Sequence, residues 1–167
     1  MVFNELAERL PEQKLILKFY GGGDCYDVIE AFCPRKNLII NVFGKVPKAE
    51  IQKEMELADF LINITNSYKA IVPSKIFELF ATCKPIVNVI SNQDDGSLSY
   101  FEKYPLVYSI IAEEKSFDKE IEDLKDFICI CKGARADFSE VKSLYYANTP
   151  QFVCERIVEW IQEKYDE

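Results

Sequence analysis

Five short apolar runs recur along the chain, each five or six residues long and rich in isoleucine, valine and phenylalanine. This length and composition are typical of β-strands, and nearly continuous runs are typical of strands buried on both faces of a parallel sheet. Successive runs start 20 to 26 residues apart, which leaves room for a helix between each pair. The predicted strands are Leu15–Tyr20, Leu38–Phe43, Phe60–Ile64, Ile86–Ile90 and Leu106–Ile111.

Helical periodicity fills the gaps between these runs and continues after the last of them. The predicted helices are 1–10, Cys25–Cys33, Lys48–Ala58, Ser74–Cys83, Ser97–Lys103, Phe117–Cys131, Ser139–Tyr146 and Pro150–Tyr165. Because strands alternate with helices, we expect an α/β fold: a Rossmann-like, doubly wound, mostly parallel sheet of about five strands with helices on both faces. We expect residues 1–167 to form a single domain. Its C-terminal segment, 147–167, is predicted to dock on the core through an apolar stripe of Val153, Ile157, Trp160 and Ile161.

Charge and residue usage narrow the possible chemistry. Acidic residues outnumber basic ones by 28 to 20, and a net charge of −8 argues against a nucleic-acid partner, whose phosphates require a basic face. The chain has no histidine, which excludes Ser-His-Asp and Cys-His nucleophiles and imidazole-bound zinc. Six cysteines without a C-x-x-C pair are typical of reduced thiols, and no run approaches the ~18 apolar residues of a membrane span. These features predict a cytoplasmic protein without a metal site.

Two glycine-containing turns follow the first two predicted strands, at the edge of the sheet where doubly wound folds bind ligands. Gly21, Gly22 and Gly23 follow the first run, and the segment Gly44 to Val46 follows the second. Glycine lets the backbone turn tightly and approach a ligand, but this is not the G-x-G-x-x-G dinucleotide fingerprint. Each turn is equally compatible with a plain strand-to-helix connection.

The third connection, 66–78, is the most informative. Pro73 suits the first position of a helix, where the next amides, on Ser74 and Lys75, are free donors near the positive end of the helix dipole. With Lys69 beside them, these groups form a candidate diphosphate site. Glu78 lies one turn further along, on the face opposite the apolar stripe, where it can accept hydrogen bonds from a diol such as ribose. The alternative is an ordinary solvated Lys75–Glu78 pair at i,i+3 spacing.

The segment 72–87, VPSKIFELFATCKPIV, resembles the C-terminal, donor-binding domain of GT-B glycosyltransferases, together with Gly44-x-Val46 and the segment 50–61. The likeness is greatest to the retaining group that includes bacterial capsule, O-antigen and lipopolysaccharide transferases, whose sequences often read P-S-K-hydrophobic-x-E-Y-x-A-x-x-K/G-P-I. It covers roughly residues 3 to 90. The resemblance implies one half of a GT-B fold and hexosyl transfer in cell-surface polysaccharide biosynthesis.

The resemblance also implies a role for each matching residue. Glu78 would bind the ribose hydroxyls of a UDP- or GDP-sugar, and the amides of Ser74 and Lys75, directly after Pro73, would face its diphosphate. The turn from Gly44 to Val46 would lie beside the nucleobase. Gly21 and Gly22 would line the same cleft. The family usually needs no metal, and none of these positions has a catalytic role of its own.

The chain also departs from the family's pattern. Ala70 stands where many members have a glutamate that contacts the donor sugar. The family's domain opens with a strand and a basic loop before the position matching residue 3, and an acceptor-binding domain precedes that. We therefore expect a fragment that is inactive alone and needs a missing acceptor-binding domain or subunit. Any membrane contact, at the inner face, would be indirect. The alternative is a non-catalytic α/β protein-interaction domain derived from the same fold.

Overall fold

The computed structural model describes residues 2–23, 26–30, 32, 36–65, 72–91, 94–111 and 118–165. Helices and strands alternate through most of these ranges, and helices alone follow the fifth strand. The elements are α1 (Val2–Arg9), β1 (Leu15–Phe19), α2 (Tyr26–Glu30), β2 (Leu38–Val42), α3 (Lys48–Leu57), β3 (Leu61–Ile64), α4 (Lys75–Phe80), β4 (Ile86–Ile90), α5 (Leu98–Phe101), β5 (Val107–Ile111), α6 (Asp118–Cys131), α7 (Phe138–Leu144), a 3-10 turn (Tyr146–Asn148) and α8 (Pro150–Tyr165).

The five strands form two parallel sheets. In one, β1 pairs with β2, and Leu15 lies opposite Leu38; in the other, β4 lies between β3 and β5. The predicted parallel α/β architecture is therefore confirmed. The predicted single sheet of five strands is not observed. Among the described residues, β1 has no partner strand on the side away from β2, and β3 has none on the side away from β4.

Successive side chains of a β-strand point to opposite faces of the sheet, and apolar side chains cover both faces of the three-stranded sheet. Ile86 of β4 faces one cluster and Val87 the other. The first cluster is built around Phe80 of α4, whose ring stacks on those of Tyr145 and Tyr104 with centroids 4.5 and 5.0 Å apart. The buried members of this first core cluster are Leu61, Ile76, Leu79, Phe80, Cys83, Ile86, Phe101, Tyr104, Val141 and Tyr145. Those of the second core cluster, formed with α1 and α6, are Leu6, Leu10, Val87, Ile110, Ile121, Leu124 and Ile128.

The C-terminal helix forms where the sequence predicts it, but its apolar stripe is not part of either core cluster. The four side chains of the stripe are between 42% and 57% exposed: Val153, Ile157, Trp160 and Ile161. Near its start, helix α8 contacts the preceding 3-10 turn, where the ring centroids of Tyr146 and Phe152 are 5.8 Å apart. In this structure the stripe therefore packs on neither core cluster, and its docking stays a prediction. Within the described ranges, no helix is both long and apolar enough to cross a membrane.

Candidate ligand-binding site

The turns that follow β1 and β2 lie side by side. The N–H of Gly21 donates to the carbonyl of Gly44 over 2.7 Å. Both residues have positive φ angles, 137° and 68°, a region that favours glycine because a side chain would be strained there. The structure therefore brings together two turns that the sequence places 23 residues apart, as expected at the carboxyl edge of a parallel pair.

The surroundings of these turns are partly apolar. A Cβ on Gly22 would lie 2.6 Å from Cε of Lys45, so the lysine side chain runs across this glycine. Val46 is half-buried. At the ends of the strands, the rings of Tyr20 and Phe43 stack with centroids 4.8 Å apart, and Phe43 remains 46% exposed. The edge thus offers a flat aromatic pair and a lysine next to exposed backbone.

Helix α4 begins later than predicted. Ser74 is its N-cap and Lys75 its first residue, so Pro73 precedes the cap and does not occupy the first helical position. The carbonyls of Pro73 and Ser74 accept the N–H groups of Ile76 and Phe77, each over 3.1 Å. The side chains of Ser74 and Lys75 are exposed. Lys69 and Ala70 lie outside the described residues.

Glu78 has the orientation that the helical pattern predicts. It is exposed, whereas Ile76 and Leu79 are buried in the first core cluster. Its Oε1 lies 3.3 Å from Nζ of Lys48, the first residue of α3. The i,i+3 pair with Lys75 is not among the ion pairs of the described residues. Because the Lys48 and Glu78 side chains are 70% and 56% exposed, their pair contributes only about 0–1 kcal/mol to folding and is open to competition by a ligand.

A groove of about 630 Å³ runs between α3 and α4. Its lining includes Lys48, Gln52, Glu78, Thr82, Lys84 and Arg135. Lys84 has a structural role, since its ammonium donates to the carbonyls of Glu56 and Ala58 at the end of α3, and burial lowers its pKa. Of the residues predicted to bind a ligand, Glu78 lines this groove, whereas the glycine turns, Val46, Ser74 and Lys75 do not.

Two features are not among the site residues predicted from the sequence. The first is Lys48, which the sequence pattern predicts only as the start of a helix, although a lysine directly after Pro47 in a strand-to-helix turn is a recognisable signal. The other feature is a row of polar side chains across the three-stranded sheet, in which Asn88, fully buried, accepts from Asn63 over 2.8 Å and lies 3.3 Å from the hydroxyl of Ser109. A polar residue in the middle of a strongly apolar run is its sequence signature.

No protein-family model, no curated protein and no solved structure matches the chain. In the described ranges, no three histidine, cysteine, aspartate or glutamate residues are grouped so that they could hold a metal ion.

Proposed function

We propose that the chain binds the nucleoside diphosphate part of a UDP- or GDP-sugar, as the donor-binding domain of a retaining hexosyltransferase of cell-surface polysaccharide synthesis. The observation that carries the proposal is the contact between Glu78 and Lys48, which joins the start of α4 to the connection that follows β2. A carboxylate that binds a diol and a cation that neutralises phosphate thus lie next to each other. The PSKIFE segment at 73–78, with its likeness to GT-B transferases, supplies the chemical class.

The proposed binding mode uses groups that are exposed and lightly engaged. The Glu78 carboxylate accepts hydrogen bonds from the two ribose hydroxyls and releases Lys48, which turns towards the diphosphate. The backbone at Ser74 and Lys75 contributes N–H donors on the same side. We assign the nucleobase to the turn from Gly44 to Val46, which is bonded to the turn at Gly21, and to the stacked Tyr20–Phe43 pair. Lys48 and Lys75 supply the positive charge for the diphosphate on a chain whose net charge is −8.

We propose that this domain works in the cytoplasm, joined to an acceptor-binding domain or subunit that brings it to the inner face of the membrane. Sugar transfer requires an acceptor held against the donor, so we expect residues 1–167 to bind the nucleotide without transferring the sugar. The doubly wound order of its strands is part of the same proposal, since nucleotides bind at the carboxyl edge of such sheets.

A second candidate function, a non-catalytic interaction domain, is favoured by one observation. The stripe on α8 leaves Trp160 57% and Ile157 51% exposed, and contiguous apolar surface of this kind marks protein contacts. On this alternative the carboxyl edge of the sheets binds no nucleotide.

Isothermal titration with UDP, GDP and their sugar conjugates tests the choice. Glu78→Ala is expected to weaken binding by about 1.5–3 kcal/mol, the contribution of hydrogen bonds to a charged group, because the ribose hydroxyls lose their acceptor. The control is Glu102→Ala, which removes the same charge from an exposed site at the end of α5. Wild-type affinity in Glu78→Ala would refute the ribose contact. If no nucleotide binds at millimolar concentration, the interaction domain is the better assignment.

A further inference from the structure

The edge of β1 that faces away from β2 has no partner strand among the described residues. In parallel strands, alternate residues direct both their N–H and C=O groups to the same neighbour. The N–H of Leu15 and the carbonyl of Phe19 are bonded to the backbone of the β2 segment, at 2.8 and 2.9 Å, so the odd-numbered residues face β2. The backbone groups of Ile16 and Lys18 therefore point to the opposite edge, which no strand of the described ranges occupies.

The same holds for the edge of β3 that faces away from β4. The N–H groups of Leu61 and Thr65 donate to carbonyls on and just before β4, at 2.9 and 3.0 Å. The backbone groups of Ile62 and Ile64 point the other way, where β3 has no partner strand among the described residues. Unpaired edges of this kind accept an extended peptide readily. We call these two sides of β1 and β3 the inner edges.

Helices on both faces of the sheets contact both β1 and β3. On one face, Leu15 of β1 and Ile62 of β3 both pack against the second core cluster, to which α1 contributes. On the other face, Glu54 of α3 is paired with Lys18 of β1 at 2.5 Å, while Met55 of the same helix packs against the first core cluster below β3. The two sheets are therefore held in one layer, with α1 on one face and α3 on the other.

The two inner edges also run in the same direction. Helix α3 follows β2 and starts at Lys48, beside Glu78 in the helix that follows β3. The end of α3 lies beside Lys84, just before β4. The carboxyl ends of β2 and β3 are thus on the same side, so one added strand can run parallel to β1 and β3 at once.

Burial decreases towards the inner edges. In β4, four of five residues are buried, whereas none of the five residues of β1 is. Ile16 of β1 is 50% exposed and Ile64 of β3 is 61% exposed. A strand in the middle of a sheet with helices on both faces is normally apolar and buried over most of its length, as β4 is apart from the polar Asn88 and the half-buried Val89.

We propose that an additional β-strand from a polypeptide segment outside residues 1–167 inserts between β1 and β3 and runs parallel to both. It would convert the two sheets into one of six strands, in the order β2-β1-added-β3-β4-β5, which is the order of a doubly wound fold. The added strand is about five residues long, to match β1, and apolar on both sides because helices cover both faces. Helix α1, which leads directly into β1, completes a strand–helix–strand unit with it. This inference does not depend on nucleotide binding.

Amide hydrogen exchange read residue by residue by NMR tests the insertion. In the chain alone, we expect the amides of Ile16, Lys18, Ile62 and Ile64 to exchange at least about tenfold faster than those of Leu17 and Asn63, which point to a paired strand. The probe is the strand KIVVIV, supplied either as a free peptide or joined ahead of residue 1 by a four-residue Gly-Ser loop. Both forms are expected to slow all four inner-edge amides at least tenfold, and the joined form to raise the melting temperature.

The matched control is the same strand with two adjacent central residues replaced by proline, KIPPIV, which removes one donor towards each inner edge. It is expected to leave exchange at the four amides unchanged. Three outcomes would overturn the proposal. The first is that the inner-edge amides are already protected in the monomeric chain. The second is that KIVVIV protects only one inner edge, or only the outer strands β2 and β5. The third is that the chain alone becomes protected by forming a dimer, detected by light scattering, which would make the occupant a second copy.

Discussion

The two sheets of this protein are made of similar strands but are packed very differently. In the three-stranded sheet, β4 is buried on both faces between two apolar clusters. In the two-stranded sheet, Leu38 alone is buried among the ten strand residues. The strands of both sheets are rich in branched aliphatic residues, so the difference does not lie in hydrophobicity. It lies in the number of neighbouring strands and helices that each strand has, and it places most of the stability in the three-stranded half.

The candidate site includes residues from both the three-stranded and the two-stranded half. Glu78 projects from α4, whose opposite face is buried in the first core cluster. Gly21, Gly44 and Val46 belong to turns of the two-stranded half, which has few buried contacts. Regions with few buried apolar contacts open at low free-energy cost. A ligand that contacts both halves would therefore stabilise the lightly packed one most.

The largest expected effect compares one phenylalanine from each half. Phe80 is 1% exposed and its ring contacts four other aromatic rings, whereas Phe43 is 46% exposed and stacks on Tyr20. Phe80→Ala should lower the free energy of unfolding by about 3–5 kcal/mol through lost burial and a cavity. Phe43→Ala should cost about 1 kcal/mol or less. Urea unfolding followed by circular dichroism measures both, and equal losses would show that the two halves are equally packed.

A smaller effect is expected at high pH. Burial raises the pKa of Tyr145 to about 12, against 10.0 for the free side chain, and its hydroxyl donates to the carbonyl of Tyr100 over 2.7 Å. As the pH rises above 10, the unfolded chain loses this proton before the folded one does. The stability contributed by the raised pKa is therefore complete below pH 10 and is lost as the pH approaches 12.

The destabilisation caused by Tyr145→Phe should accordingly shrink by about 1–2 kcal/mol between pH 9 and pH 11.5. Urea titrations at fixed pH values measure it as the difference between wild type and variant. Tyr165→Phe, at a side chain that is 87% exposed, is the control for the loss of a tyrosine hydroxyl. A destabilisation by Tyr145→Phe that does not change with pH would mean that Tyr145 is solvated in the folded state.

Local pattern was enough to predict the five strands and their parallel arrangement. Runs such as IVNVI at 86–90 have the length and composition of a buried strand wherever they occur. The same is true of the orientation of Glu78, because spacing along a helix decides which side chains share a face. Partners distant in the sequence were not predictable in this way. Lys48 lies 30 residues before Glu78, and only the fold brings the two side chains together.

The division into two sheets and the exposed stripe of α8 have a common reason. The sequence of a strand indicates which of its faces are apolar, but it does not indicate which other strand lies beside it. The sequences of β1 and β3 would therefore be the same whether or not these two strands were neighbours. Likewise, an apolar helical stripe has the same pattern whether it covers its own core or another surface. The predicted start of α4 is wrong for a reason that lies in the neighbouring residues. Proline is tolerated both at the first helical position and before the cap, so Pro73 does not decide where the helix begins.

The smallest expected effect concerns α8. Ile157→Ser changes a side chain that is 51% exposed and outside both core clusters, so the free energy of unfolding should change by no more than about 0.5 kcal/mol. Leu124→Ser in α6, fully buried, is the contrasting variant and should cost several times more. Trp160, the sole tryptophan, reports on the same stripe, and its fluorescence should already be that of a hydrated indole in the folded chain. A large loss in Ile157→Ser together with blue-shifted emission would mean that α8 packs on the body of the chain in solution. The light packing seen in the two-stranded half would then not extend to the stripe of α8.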